Sequence, residues 1–181
     1  MAYDLEQFCS DCREALKADP GPGGRERIRE KLETLLANAA FVEAHVGADA
    51  EIGTHTLYED PDLEFVVLAH VNKSAHTSPP HDHGNSWAVY GQASAHTEMT
   101  EYRRTDGGSG VGAADLEEVR RYRLTPGKAG LYDVGAIHAI DYPDNARFVR
   151  VTGRDLDKEP RLLFDTAARE ARLIKNASAR G

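Results

Sequence analysis

The chain has 181 residues, a formal net charge of −8, 40% hydrophobic residues and 29% charged residues. That length suits one domain with a buried core, and the composition is typical of neither a disordered chain nor a membrane protein. The negative charge argues against non-specific nucleic-acid binding, which depends on Lys and Arg at the phosphates, and two cysteines are too few for a disulfide framework.

The N-terminal segment is acidic and lacks the basic-then-apolar order of a signal peptide. No apolar run approaches the roughly 20 residues that span a bilayer. We therefore expect a cytoplasmic protein that does not bind membranes.

The first part of the chain, residues 1–48, predicts a two-helix cap. Residues 3–18 and 25–45 place apolar side chains at the i, i+3, i+4 spacing of amphipathic helices, and a run rich in Pro and Gly separates them. Cys9 and Cys12 lie within the first helix, and no second pair of ligands follows them. We interpret them as ordinary helical thiols.

From residue 50 to residue 160 the sequence predicts short strands broken by Gly and Pro, and residues 161–181 predict a short C-terminal helix with a frayed tail. Strands flanked by terminal helices predict a mainly β domain that covers residues 1–181. An antiparallel jelly roll would turn its inward side chains toward one cavity. The predicted strands are 54–59, 63–71, 86–90, 93–102, 116–124, 130–133, 136–140 and 147–151.

Two histidines at positions i and i+2 indicate a metal site. In an extended segment the side chains of His81 and His83 leave the same face, while Asp82 between them points away. Neutral imidazole suits Fe, Zn, Cu and Ni. Pro79 and Pro80 stiffen the approach to the pair, and His138, in a second stretch rich in Gly, can supply a third nitrogen.

This second stretch resembles the second motif of the cupin superfamily, G-x5-P-x-G-x2-H-x3-N. Gly127, Gly135 and His138 occupy matching positions, with Asp133 at the Pro position and Tyr142 at the Asn position. The resemblance implies a cupin jelly-roll barrel, also called a double-stranded β-helix, over residues 50–160.

The first stretch resembles the first cupin motif, in which Glu follows H-x-H after three or four residues. Trp87 and Ala88 occupy those places here, so the resemblance implies a ligand set of three histidines. Residues 76–86 are also similar to the H-x-S-x-x-H-D-H-x-N-S segment of the cysteine dioxygenase group, and His55 falls where that group has a substrate-binding arginine.

This likeness implies a non-haem Fe(II)-dependent dioxygenase in which His81, His83 and His138 bind the metal. Its substrate would be a small thiol or another chelating anion, used together with O2. A three-nitrogen site also accepts Ni, Zn, Mn or Cu. The alternatives are another three-histidine cupin dioxygenase, which cleaves a β-diketone or an enediol, and a cupin that binds a metal or small molecule without catalysis. Cupins often pair, so a homodimer is expected.

Six further side chains are candidates for the same cavity. His96 and Glu98 lie two apart on a predicted strand and would share a face. For each candidate the alternative is an ordinary structural role, as a core aromatic or a strand-surface charge. The catalytic candidates are His55, His96 and Glu98, and the substrate-binding candidates are Trp87, Tyr90 and Arg150.

Overall fold

A computed structural model describes residues 3–175 of the chain. Within this range it has three helices and twelve strands, and none of its helices is long and apolar enough to cross a bilayer. The helices are α1 (Leu5–Ala18), α2 (Pro22–Leu36) and α3 (Ala39–Val46). The strands are β1 (Gly53–Glu59), β2 (Val66–Val71), β3 (His76–Thr77), β4 (Ala88–Ser94), β5 (Thr97–Arg104), β6 (Gly112–Ala113), β7 (Leu116–Leu124), β8 (Ala129–Tyr132), β9 (Ile137–Tyr142), β10 (Arg147–Thr152), β11 (Arg161–Asp165) and β12 (Glu170–Ile174).

The cap has three helices, and the prediction of one continuous helix over residues 25–45 is wrong. The Asn38 side chain accepts hydrogen bonds from the backbone N–H groups of Ala40 and Phe41, so it caps a new helix and ends the old one. In α1, burial raises the pKa of the Cys9 thiol to about 12, and Cys12 is also buried. Both thiols are therefore protonated at neutral pH, in agreement with a structural role.

The strands form antiparallel sheets, and the predicted fold class, mainly β with an N-terminal helical cap, is confirmed. One sheet has the order β1-β2-β10-β4-β8, a second has the order β3-β9-β5-β7, and a third has the order β11-β12-β6. From β2 to β5 and from β7 to β10 the chain alternates between the first two sheets. This alternation is the jelly-roll arrangement expected from the sequence.

The predicted C-terminal helix is wrong, because residues 161–175 contain the β11–β12 hairpin. Tertiary pairing overrides local periodicity here. The N–H of Phe164 donates to the carbonyl of Pro80 at 2.8 Å, which joins β11 to the segment that carries His81. The tail residues 177–181, predicted to fray, lie outside the described residues.

Several strand boundaries differ from the predictions. The strand predicted from residue 63 begins at Val66, because the Asp60 carboxylate accepts the N–H groups of Asp62 and Leu63 and forms a turn there. Strand β4 continues through Gly91 to Ser94 instead of ending at the glycine. A turn at residues 95–96 then delays the next strand until Thr97.

The inner strands of the five-stranded sheet, among them β2 and β4, are buried on both faces, whereas the edge strand β1 is partly exposed. The outer face of the sheet packs against the cap, where a Cβ on Gly91 would lie 2.7 Å from side-chain carbons of Leu32 and Leu36. Its inner face contributes Tyr90, Tyr132 and Phe148 to a second cluster between the two main sheets. The helices therefore hold one wall of the jelly roll in place from outside.

Candidate metal centre

Three histidines from two separate segments converge between the main sheets. One ring nitrogen from each of His81, His83 and His138 lies within 4.8 Å of the others. The ring centroid of His138 is 4.8 Å from that of His81 and 4.8 Å from that of His83. All three side chains are buried, with relative exposures of 7%, 2% and 0% for His81, His83 and His138. This three-histidine group could hold a metal ion.

Backbone pairing brings the two segments together. His81 and His138 form an isolated antiparallel bridge, in which each N–H donates to the other's carbonyl, at 2.9 and 3.0 Å. His83 follows two residues later and reaches the same point. Between the two ligands, the Asp82 carboxylate turns away and accepts the N–H groups of Gly84 and Leu162. The alternation predicted from the sequence is therefore what the structure has.

The histidines are neutral imidazoles with free nitrogens. Burial lowers the pKa of His81 to about 4, and burial also holds the pKa values of His83 and His138 well below the usual range. His81 Nδ1 lies 3.0 Å from the carbonyl oxygen of Pro79, so it carries the proton and Nε2 keeps a lone pair.

The chemistry of this donor set fits a metal. Both ring nitrogens of His138 and Nδ1 of His83 are buried without a hydrogen-bond partner among residues 3–175. Buried polar atoms are normally satisfied, so these unpartnered nitrogens on two adjacent imidazole rings indicate a missing partner. Neutral imidazoles are ligands for Fe, Ni, Cu and Zn. Three histidines without a coordinating carboxylate would leave the charge of a divalent ion uncompensated.

Tyr90 and Arg150, two of the predicted substrate-binding residues, lie beside the histidines. The Tyr90 hydroxyl is 3.4 Å from His83 Nε2, and its ring centroid is 5.7 Å from that of His138. The Arg150 guanidinium carbon lies 5.9 Å from the Tyr90 ring centroid. Arg150 also lines a cavity of about 930 Å³ together with Thr56, Leu68 and other residues.

One row of side chains across the five-stranded sheet explains this placement. In the antiparallel register Thr56 pairs with Leu68, Leu68 with Arg150, Arg150 with Tyr90, and Tyr90 with Gly130. Side chains of directly paired residues leave the same face. The row therefore leads from the cavity to the histidines along the inner face of the sheet.

The structure does not bring His55 and Trp87 to the histidines. His55 pairs with Ala69, which belongs to the core under the cap, and its Nε2 lies 2.8 Å from the Glu51 carbonyl oxygen. Trp87 is buried in the same core, where a Cβ on Gly153 would lie 2.4 Å from the indole nitrogen. Both side chains leave the outer face of the sheet, and Trp87 occupies the position of a core aromatic.

His96 and Glu98 are also kept away from the histidine cluster. His96 lies in the turn between β4 and β5, so it does not share a strand face with Glu98 as predicted. Glu98 forms an ion pair with Arg123 at 2.5 Å on the outer face. The acidic residue opposite His138 in the register is Glu101, which forms an ion pair with Arg120 at 2.7 Å.

Sequence reasoning missed Tyr132, whose ring is closest to a candidate ligand. Its ring centroid lies 4.2 Å from that of His138, and its hydroxyl lies 2.6 Å from the Tyr122 hydroxyl. Burial raises the pKa of Tyr132 well above its usual value, so the phenol stays protonated. The alternation in strand β8 places Tyr132 on the face of Gly130, but only the sheet register shows that this face is the inner one.

Sequence reasoning also missed Arg161, because residues 161–176 were predicted to be helical. In the structure it is the first residue of β11, which runs beside the segment carrying His81 and His83. Burial lowers its pKa, and its Nε has no partner among the described residues.

No protein-family model matches the sequence, and no curated protein matches it. Solved structures do match. The matched structures are cupin and double-stranded β-helix proteins. KdgF from Halomonas sp. is 12% identical, with 55% of this chain and 76% of that chain covered and a TM-score of 0.41. A cupin superfamily protein from Desulfitobacterium hafniense is 10% identical, with coverages of 58% and 79% and a TM-score of 0.41. A protein with a double-stranded β-helix domain from Klebsiella pneumoniae is 18% identical, with coverages of 61% and 80% and a TM-score of 0.39. Such distant likeness carries over no activity, because one fold hosts many unrelated functions and the chemistry depends on the residues of the site.

Proposed function

We propose that the chain is a metal-dependent dioxygenase that uses Fe(II) to oxidise a small, chelating, anionic substrate with O2. A small thiol is the first candidate substrate. The observation that carries the proposal is the set of three buried, neutral histidines, two of which have unpartnered ring nitrogens, next to a cavity lined by Arg150, which forms no ion pair among the described residues.

The histidines would hold the metal and leave positions for other ligands. A redox-active ion such as Fe(II), once bound there, would supply the activation of both dioxygen and the anionic substrate. Because none of the three ligands is charged, the centre attracts an anion more strongly than a site with a carboxylate ligand would. This charge balance favours a thiolate or an enolate as the substrate group at the metal.

Neighbouring residues of the chain would bind and orient that substrate. Arg150 would hold its acidic end in the cavity, and the Tyr90 hydroxyl is placed to donate a hydrogen bond to an anion beside His83. Phe148 and Tyr142 pack around this region, and such apolar walls exclude water and strengthen each electrostatic contact.

The test is metal analysis followed by O2 measurement. The protein is reconstituted with Fe(II) without oxygen and then assayed against cysteine, 3-mercaptopropionate, mercaptosuccinate and acetylacetone. We expect O2 uptake matched by substrate loss, with two oxygen atoms added to the product by mass spectrometry. His138→Ala should abolish uptake, whereas His45→Ala, which alters a histidine packed against Phe41 in the cap, should not. Absence of turnover at one iron per chain across this panel would favour a non-catalytic metal-binding role.

A further inference from the structure

Two arginines beside the histidine cluster have no acidic partner. Arg150 and Arg161 make no hydrogen bond or salt bridge to any residue between 3 and 175, and the Nε of each is buried. Every other arginine in this range donates at least one hydrogen bond. A buried guanidinium nitrogen without an acceptor is costly, so two such atoms beside one cluster indicate a ligand that supplies acceptors.

Strand pairing places Arg161 at the histidines. Leu163 bridges His81 in antiparallel fashion, and the N–H of Asp82 donates to the carbonyl of Leu162 at 3.1 Å. Continuing this register by two residues sets Arg161 opposite His83. Directly opposite residues of an antiparallel pair project from the same face, so the guanidinium extends on the side of the ligand imidazoles.

Arg150 approaches the cluster from a different wall. It belongs to β10 of the five-stranded sheet, lies over the Tyr90 ring and lines the cavity.

The neighbouring acidic groups form no ion pair with these arginines among the described residues. Asp157 and Asp82 both act electrostatically on Arg161, but neither forms a salt bridge with it, and the Asp82 carboxylate is already engaged by two backbone N–H groups. Two guanidinium groups and a divalent metal would thus place several positive charges beside the histidine cluster. Because the two arginines reach it from separate sheets, they are suited to separate carboxylates rather than to a single one.

We propose that Arg150 and Arg161 form a two-point anion site beside the metal centre, and that the ligand is a small dicarboxylate. Each guanidinium takes one carboxylate, and the metal takes a third group of the same molecule. This inference deepens the proposed function and rests on it for the reaction, but the two-point anion site itself is independent of turnover.

Calorimetric titration of a redox-inert zinc-loaded form tests the anion site without any reaction. Succinate is the dicarboxylate probe and butyrate the monocarboxylate of the same length, and both titrations are repeated on the metal-free protein. We expect succinate to bind about 10- to 100-fold more tightly than butyrate, because each charged hydrogen-bonded contact is worth roughly 1.5–3 kcal/mol. Titrations with the longer glutarate and the shorter malonate then define the distance between the two carboxylate-binding points.

The decisive variant is Arg161→Gln. It should weaken succinate binding by about 10- to 100-fold and leave butyrate binding, held by Arg150, nearly unchanged. Arg161→Lys keeps the charge and should recover part of the loss, which also covers the case in which the glutamine variant folds poorly. The matched control is Arg172→Gln in the same hairpin, whose exposed side chain pairs with Glu170.

The outcomes separate this inference from the proposed function. Equal affinity for succinate and butyrate, or wild-type succinate binding by both Arg161 variants, would overturn the dicarboxylate site even in an active dioxygenase. Selective succinate binding that depends on Arg161, in a protein that consumes no O2, would support the anion site and refute the dioxygenase.

Discussion

Removing the His83 imidazole should release the metal and leave the fold intact. His83 is fully buried, its Nδ1 has no partner among the described residues, and its polar neighbour is the Tyr90 hydroxyl at 3.4 Å. His83→Ala therefore trades some packing for the removal of an unsatisfied polar group. We expect the free energy of unfolding of the metal-free protein to change by less than about 2 kcal/mol.

The loss of metal affinity should be much larger. Four-ligand zinc sites bind with about 10–16 kcal/mol, so one ligand contributes roughly 2.5–4 kcal/mol, or on the order of 100-fold to just under 1,000-fold in affinity. At a free metal concentration 100 times the wild-type Kd, binding stabilises the native protein by about 2.7 kcal/mol. A variant with 100-fold weaker binding would gain about 0.4 kcal/mol. For a chain of this length the corresponding rises in Tm are about 5–11 °C and about 1–2 °C.

Elemental analysis measures the metal bound per chain, and thermal melts with and without zinc measure the rise in Tm. The control is His45→Ala, which removes an imidazole from the cap and should bind metal like the wild type. A His83→Ala protein that keeps one metal per chain and the full rise in Tm would refute the assignment of the ligands.

Three further outcomes follow from packing and burial. Gly91→Ala should destabilise the protein by about 1–3 kcal/mol in urea denaturation, because the added Cβ would lie 2.7 Å from leucine carbons of α2. A change below about 0.5 kcal/mol would contradict the close contact with the cap. Tyr132→Phe should cost about 1 kcal/mol, because the Tyr122 hydroxyl loses its 2.6 Å partner, and a neutral result by the same assay would mean that water replaces it. Lowering the pH should destabilise the metal-free protein: the His81 pKa is about 4 when folded and about 6.5 when unfolded, so the unfolded chain takes up the proton first. The free energy of unfolding should be constant above about pH 7 and fall between pH 6.5 and 4. At pH 5.5 the loss should be about 1.4 kcal/mol for each such histidine. Equal urea midpoints at pH 7.5 and 5.5 would contradict this.

The spacing of neighbouring residues was sufficient to predict those features that depend on only a few positions along the chain. The i, i+2 spacing of His81 and His83 in an extended segment makes their rings share a face, wherever the segment lies in the fold. The breaker residues between the helices and the apolar run before Val71 likewise act over a few positions, so α1 and β2 could be predicted with small boundary errors.

Residues chosen by proximity along the chain were less well predicted, because period-2 alternation shows which residues share a face but not which face is inward. His55 and Trp87 lie on the cap side of their sheet. Glu98 lies on the outer face of its strand, whereas the acidic residue opposite His138 is Glu101. Sheet pairing across distant segments decides this, and a shift of one position would reverse every assignment.

The clearest case is Arg161. The segment from residue 161 has an apolar spacing compatible with a helix, but residues 161–174 form the β11–β12 hairpin, and hydrogen bonds to Pro80 and Asp82, some eighty positions earlier, hold β11 beside the ligand segment. The sequence by itself determined that three imidazoles were available at suitable spacing. The tertiary structure decided which charged and aromatic groups surround them, because those neighbours come from pairing energies between segments that no local pattern contains.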